Sequence, residues 1–124
     1  MYHMKFTESL RKNSDFSKVY RQGRSKANYT VVLYVKENDS EQNRLGISVS
    51  KKVGNSVVRH RVKRLIKEAY RLNEDAFVCG YDLVFIARVS SKDKNFKDIE
   101  KSILHIARKM DILRKTEEDG KEDC

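Results

Sequence analysis

Seven bases and no acid fall within residues 51–67: Lys51, Lys52, Arg59, Arg61, Lys63, Arg64 and Lys67. On a helix, four-residue spacing sets Arg59, Lys63 and Lys67 in one row, with Arg61 and Arg64 flanking it. Solvated helices usually alternate acids with bases, because opposite charges at that spacing support each other, and here the acids are missing. Such a row repels itself until an anion neutralises it, and the anion it suits is a nucleic-acid backbone. Arg59 and Arg61 are the leading candidates, since a guanidinium grips phosphate through two parallel hydrogen bonds. Arg59, Arg61, Lys63 and Arg64 occupy the N-terminal half of their helix, where the helix dipole also favours an anion. An anionic membrane is the weaker competitor, because the apolar side of this helix suits a core.

A second constellation is aromatic. Phe16 and Tyr20 lie four apart, Val32 and Tyr34 alternate along an apolar run, and Gly46, Ser48 and Ser50 leave one side of the next run almost bare. Together they make a groove for a single nucleic-acid strand, in which each ring contributes roughly 1–3 kcal/mol by base stacking and demands no sequence. On residue types alone, an ordinary core is the better reading of Phe16 and Tyr20. Hydrolytic chemistry has no comparable set. A metal-dependent nuclease needs clustered carboxylates, and only Glu68 and Asp82 fall near the right elements. His3, His60 and His105 build neither a pair for metal-free RNA cleavage nor, with two distant cysteines, a zinc set. No catalytic residue and no metal ligand is therefore assigned. A DNA-binding regulator is disfavoured, since neither helix-turn-helix spacing nor a dimerisation stripe is present.

The elements that must position these residues follow from periodicity. Residues 15–22 read as a short helix with Asn13 or Ser14 as N-cap and Gly23 as its stop. A strand over 27–37 places Val31, Leu33 and Val35 on one face and Thr30, Val32, Tyr34 and Lys36 on the other. A second strand over 44–50 sets Leu45, Ile47 and Val49 against Gly46, Ser48 and Ser50. Asn55 caps the main helix, 56–72, whose buried stripe is Val58, Val62, Leu65, Ile66 and Ala69. Residues 81–87 are apolar on both alternations, as a central strand covered on both faces should be. A last helix over 96–113, with Asn95 and Asp98 spaced as a capping box, buries Phe96, Ile99, Ile103, Ile106 and Met110. Pairing the first two strands as a hairpin and joining the second to the third through the basic helix gives an αββαβα order. The expected fold is an α+β two-layer sandwich with a mixed sheet.

A chain of 124 residues suits one domain, taken as residues 1–115. Residues 116–124 hold five acids and one base, so the overall charge of +9 becomes +13 over the first 115 residues. That acidic tail is expected to be disordered. Two cysteines make no disulfide framework, no apolar run approaches the roughly 20 residues of a membrane span, and residues 1–10 lack the apolar stretch of a signal peptide. The expected setting is the cytoplasm, without membrane or DNA as partner.

The stretch Lys51-Lys52-Val53-Gly54-Asn55-Ser56-Val57-Val58-Arg59-His60-Arg61-Val62-Lys63-Arg64 closely resembles the signature of the bacterial ribonuclease P protein component. In that family a Lys-Lys-Val-Gly-Asn turn enters a helix opening with Arg-Asn-Arg. The likeness runs over about residues 4–114, and His60 stands where the family usually has Asn. It implies an αβββαβα order related to a ribosomal protein domain, with a left-handed βαβ crossover where general experience predicts a right-handed one. It also implies a division of labour. The RNA subunit of ribonuclease P holds magnesium and cuts precursor tRNA, releasing the 5' leader, while the protein aids binding of substrate and metal. On this reading Lys51, Lys52, Asn55, Arg59, His60, Arg61, Lys63, Arg64 and Lys67 meet the catalytic RNA. Phe16, Tyr20, Val32, Tyr34, Gly46, Ser48 and Ser50 line the leader cleft, and the protein holds no cofactor of its own. The alternative from another class is a ribosome-associated RNA-binding protein without a nuclease role.

Overall fold

The doubly apolar run forms the middle of the sheet. In the computed structural model, which describes residues 4–115, it is one of five strands and three helices. In chain order these are β1 (Thr7–Ser9), α1 (Asn13–Gln22), β2 (Arg24–Ala27), β3 (Val31–Glu37), β4 (Asn43–Ser48), α2 (Ser56–Leu72), β5 (Tyr81–Ala87) and α3 (Phe96–Lys109). The strand order across the sheet is β1-β4-β5-β3-β2. β4 runs parallel to β5, with Leu45 beside Leu83, and β3 runs antiparallel to it, with Leu33 beside Phe85. From α1 onward the order is αβββαβα, as the family resemblance implied. The acidic tail lies outside the described residues.

Alternation along β5 divides the protein's interior. Leu83 and Phe85 face the main core with Val62, Ile66 and Ala69 of α2 and Ile99, Ile103 and Ile106 of α3, all essentially without solvent exposure. Each such side chain contributes about 1.5–3 kcal/mol by leaving water. Val84 and Ile86 turn to the other face, where α1 brings Val19 and Phe16. The sandwich of sheet against α2 and α3 is therefore as expected, and α1 adds a partial cover on the opposite side. Both long helices carry the anticipated caps: Asn55 accepts from the Val58 amide at 3.0 Å and Asn95 from that of Asp98 at 2.9 Å.

Four expectations are corrected. The hairpin does not form, because β5 inserts between β3 and β4. The expected strand over 27–37 starts only at Val31: Asn28 Oδ1 accepts from the amides of Thr30 and Val31, turning the chain so that a separate strand before it, β2, pairs back on β3. α1 begins two residues early, at Asn13, with Lys12 as N-cap and no side-chain cap bond. α3 ends at Lys109 because Asp111 adopts φ 60°, after which Leu113 bridges to Phe77. The β1 strand was not anticipated either. It is fastened by Glu74, whose buried carboxylate accepts from the amides of Lys5 and Phe6 at 2.8 and 3.0 Å and from Thr7 Oγ1 at 2.6 Å. Beside it, burial pushes the Tyr70 phenol up to about 12 although Thr7 and Asn43 share hydrogen bonds with it.

Candidate nucleic-acid interface

The basic row is carried by α2, whose other side is anchored in the core by Val62, Ile66, Ala69 and Tyr70. Lys63 and Lys67 face a groove of about 540 Å³ that runs beside Leu45, Gly46 and Ile47 of β4 to Phe16 of α1. Arg59, His60 and Lys63 flank a second hollow of about 350 Å³ over Ile47, Ser48 and Val49. This space exists because β1 is short: it pairs with β4 only over Asn43, Arg44 and Leu45, leaving the β4 edge uncovered beyond. Lys51, Lys52, Asn55 and Arg64 are exposed on the approach to α2 and along it.

Arg59 and Arg61 do not behave alike. Arg59 donates its Nε to the Gly54 carbonyl at 3.1 Å, and among the described residues its terminal nitrogens meet no acceptor. Arg61 leans away from the row, giving one terminal nitrogen to the Lys94 carbonyl at 2.8 Å and the other to that of Lys92 at 3.4 Å. Its guanidinium thereby ties α2 to the turn Val89–Asp93 that follows β5. Sequence spacing could not show this, since it fixes where a side chain starts and not where a long one ends.

The aromatic set comes together on the α1 face of the sheet. Phe16 and Tyr20 are tilted at 6.4 Å between centroids, and Tyr20 meets the edge of Tyr34 at 5.0 Å and 72°. Tyr20 remains 38% exposed, and with Asn13, Phe16 and Ser17 it lines a hollow of about 360 Å³ over Ile47 and Ser48. Desolvation, helped by Tyr34, raises the Tyr20 phenol above its ordinary value, so its hydroxyl keeps its proton at neutral pH. One member of the bare face is not open. A Cβ on Gly46 would lie 2.6 Å from two ring atoms of Phe16, so glycine here is the seat of that ring. Ser48 borders the open hollow, and Ser50 lies past the end of β4 in the turn, where its hydroxyl accepts from the Lys52 amide. Ile47 and Ser48 border both the aromatic hollow and the basic one, so the two surfaces meet at the β4 edge.

A partly buried ion-pair network centred on the buried Asp82 positions α1 over this cleft. Arg44 donates Nε and a terminal nitrogen to the two oxygens of Asp82 at 2.9 and 2.7 Å and reaches Asp15 of α1 at 3.2 Å. Burial would raise the Asp82 carboxyl, but hydrogen bonds from Arg44 and Asn38 and the charge of Arg44 outweigh it and hold the group below the ordinary range. Its contribution to stability is complete above the unfolded value of about 4 and is lost as pH falls from there through the lowered folded value. Asp82→Asn is expected to cost about 1.5–3 kcal/mol at neutral pH. It should also flatten the acid limb of a thermal-midpoint-against-pH curve measured by circular dichroism. The sequence pointed to Asp82 only as a stray carboxylate; its register beside Arg44 is the signal that sequence spacing hid. Glu68, the other such carboxylate, pairs with Arg71 at 2.6 Å. Among the described residues no group of three His, Cys, Asp or Glu could hold a metal ion, and no helix is long and apolar enough to cross a membrane.

Residues 4–111 match the family model of ribonuclease P. The chain belongs to the ribonuclease P protein family. Ribonuclease P protein components from Clostridioides difficile and Alkaliphilus metalliredigens are 59% and 52% identical to it, covering 86% and 89% of this chain and 94% and 99% of the relatives. The solved ribonuclease P protein of Staphylococcus aureus superposes with a TM-score of 0.79 at 36% identity, over 85% of this chain and 96% of that one. That of Thermotoga maritima gives 0.75 at 29%, over 82% and 96%. Membership makes this chain the accessory subunit of the endoribonuclease ribonuclease P, acting with the RNA subunit in processing tRNA 5' leaders, and decides against the ribosome-associated alternative.

Proposed function

We propose that the ribonuclease P RNA lies along α2, on Arg59, Lys63 and Lys67 with Lys51, Lys52, Asn55, His60 and Arg64. Arg61 contributes by holding the helix to its neighbouring turn. The leader of a precursor tRNA lies across Phe16, Tyr20, Val32, Tyr34 and Ser48, with Ser50 at the rim and Gly46 seating the first ring. The observation that carries this reading is the continuity of the two hollows over Ile47 and Ser48, which lets one surface hold both RNAs at once. Magnesium enters with the RNA. The reaction's setting is the cytoplasm, where precursor tRNA is made.

Stacking explains why the cleft tolerates leaders of any sequence, since every base has a π-face. Tyr20→Leu, at a partly exposed position, should leave the fold intact and weaken binding of leader-bearing precursor tRNA to the RNA-protein complex by about 1–3 kcal/mol. Mature tRNA, which has no leader, should bind the variant and wild-type complexes equally. Equal losses for both tRNAs would place Tyr20 outside the leader site.

A further inference from the structure

At the end of the sheet where β4 and β5 leave and β3 enters, the turn between β2 and β3 carries Tyr29 into solvent with 75% of its surface exposed. The turn is rigidly framed. Besides the two bonds that the Asn28 side chain accepts, the Asn28 carbonyl accepts from Arg88 at 2.9 Å, that of Tyr29 from Ser90 Oγ at 2.7 Å, and that of Thr30 from the Arg88 amide at 2.9 Å. A frame of this kind holds an apolar ring in water without a packing return from the core. Lys94 Nζ lies 5.5 Å from the ring centroid, and Arg88 is exposed beside the same turn. Arg61 fixes the Lys94 backbone from the α2 side, so the backbone that carries the ring and the backbone that carries the cation are both braced.

We propose that Tyr29, Lys94 and Arg88 form a third RNA contact, in which an unpaired base stacks on the Tyr29 ring and the adjoining phosphates meet the two cations. A ring flanked by bases is the recipe of single-strand recognition, which combines a stacking platform with neutralised backbone charge. The site lies apart from the α1 cleft and from the α2 row, at the end of the sheet that also bears Lys51 and Lys52 after β4. It rests on the RNA-binding reading above and extends it to residues that reading does not use.

The chain contains no tryptophan, so Tyr29→Trp installs a single indole reporter at the turn. Excited where tyrosine does not absorb, its emission should be quenched on titration with a bacterial ribonuclease P RNA or with an oligoadenylate of about 10 nucleotides. Tyr29→Ser and Lys94→Ala should each weaken binding of the quenching RNA on the order of 10-fold, with thermal midpoints unchanged. Emission unaltered by both RNAs at saturation, or a Tyr29→Ser protein that binds as tightly as wild type, would overturn the third contact and leave the α2 and cleft readings standing. Wild type binding neither RNA would overturn all three.

Discussion

Changing Arg59, Lys63 and Lys67 together to alanine is expected to weaken binding of ribonuclease P RNA on the order of 100-fold at moderate salt. The three side chains stand on one face of α2 and border the grooves along β4, and none is used in the core. Each phosphate contact releases condensed counterions. The slope of log affinity against log salt should therefore become shallower by roughly 2–3, about 0.7–0.9 per lost contact. Arg61→Ala makes the informative contrast. Its guanidinium is committed to two backbone carbonyls, so its removal should lower the thermal midpoint while leaving the salt slope nearly unchanged. Filter binding across a salt series, with parallel thermal melts, separates the two. A slope as steep in the triple variant as in wild type would remove α2 from the RNA interface.

Gly46→Val should cost about 1–3 kcal/mol of stability by overpacking, and more of its consequence should appear in binding. The new side chain takes the seat of Phe16, and Leu10 stands 3.3 Å behind, so relief comes from swinging the ring away from β4. The loss of leader affinity should then match that of Phe16→Ala, on the order of 10-fold, and combining the two changes should add little. Ser48→Ala, two residues along the same face, creates no such clash and should cost far less stability. Denaturant melts and competition binding with leader-bearing and leaderless tRNA read both effects. Full additivity of Gly46→Val and Phe16→Ala would mean that the ring does not sit where the glycine leaves room.

Much of this architecture was legible because it is written in local chemistry. Asn55 and Asn95 announced the starts of α2 and α3, and the stripes Val62, Ile66, Ala69 and Ile99, Ile103, Ile106 announced their buried sides. The alternation of Val31, Leu33 and Val35 gave the correct face of β3. What failed was order in space. A hairpin of β3 and β4 is the short-loop choice, yet a strand apolar on both alternations needs neighbours on both edges, and β5 obtains them by separating those two. β2 was invisible because Arg24, Ser25, Lys26 and Ala27 are all exposed at the sheet edge and carry no alternation. β1 is three residues long and owes its place to Glu74, far along the chain.

The site was legible to the same depth. The basic row and the aromatic set could be named from residue types, and the resemblance around Gly54-Asn55 and Arg59-His60-Arg61 gave each an RNA partner. The reach of side chains could not be read. The bare face of β4 suggested room for a ligand, whereas part of it receives Phe16. Paired arginines suggested two phosphate clamps, whereas one of them braces a turn. The Arg44 and Asp82 pair that sets α1 over the cleft joins residues 38 apart, and neither carries a local signal.

The most direct test of the central claim is cleavage of a precursor tRNA by a bacterial ribonuclease P RNA at low magnesium, with this protein, without it, and with the Arg59→Ala, Lys63→Ala, Lys67→Ala protein. The expected result is correct 5' cutting restored by wild type, little or no restoration by the variant, and no cutting by protein without RNA. Failure of the wild-type protein to stimulate the RNA, or cutting by the protein alone, would contradict it.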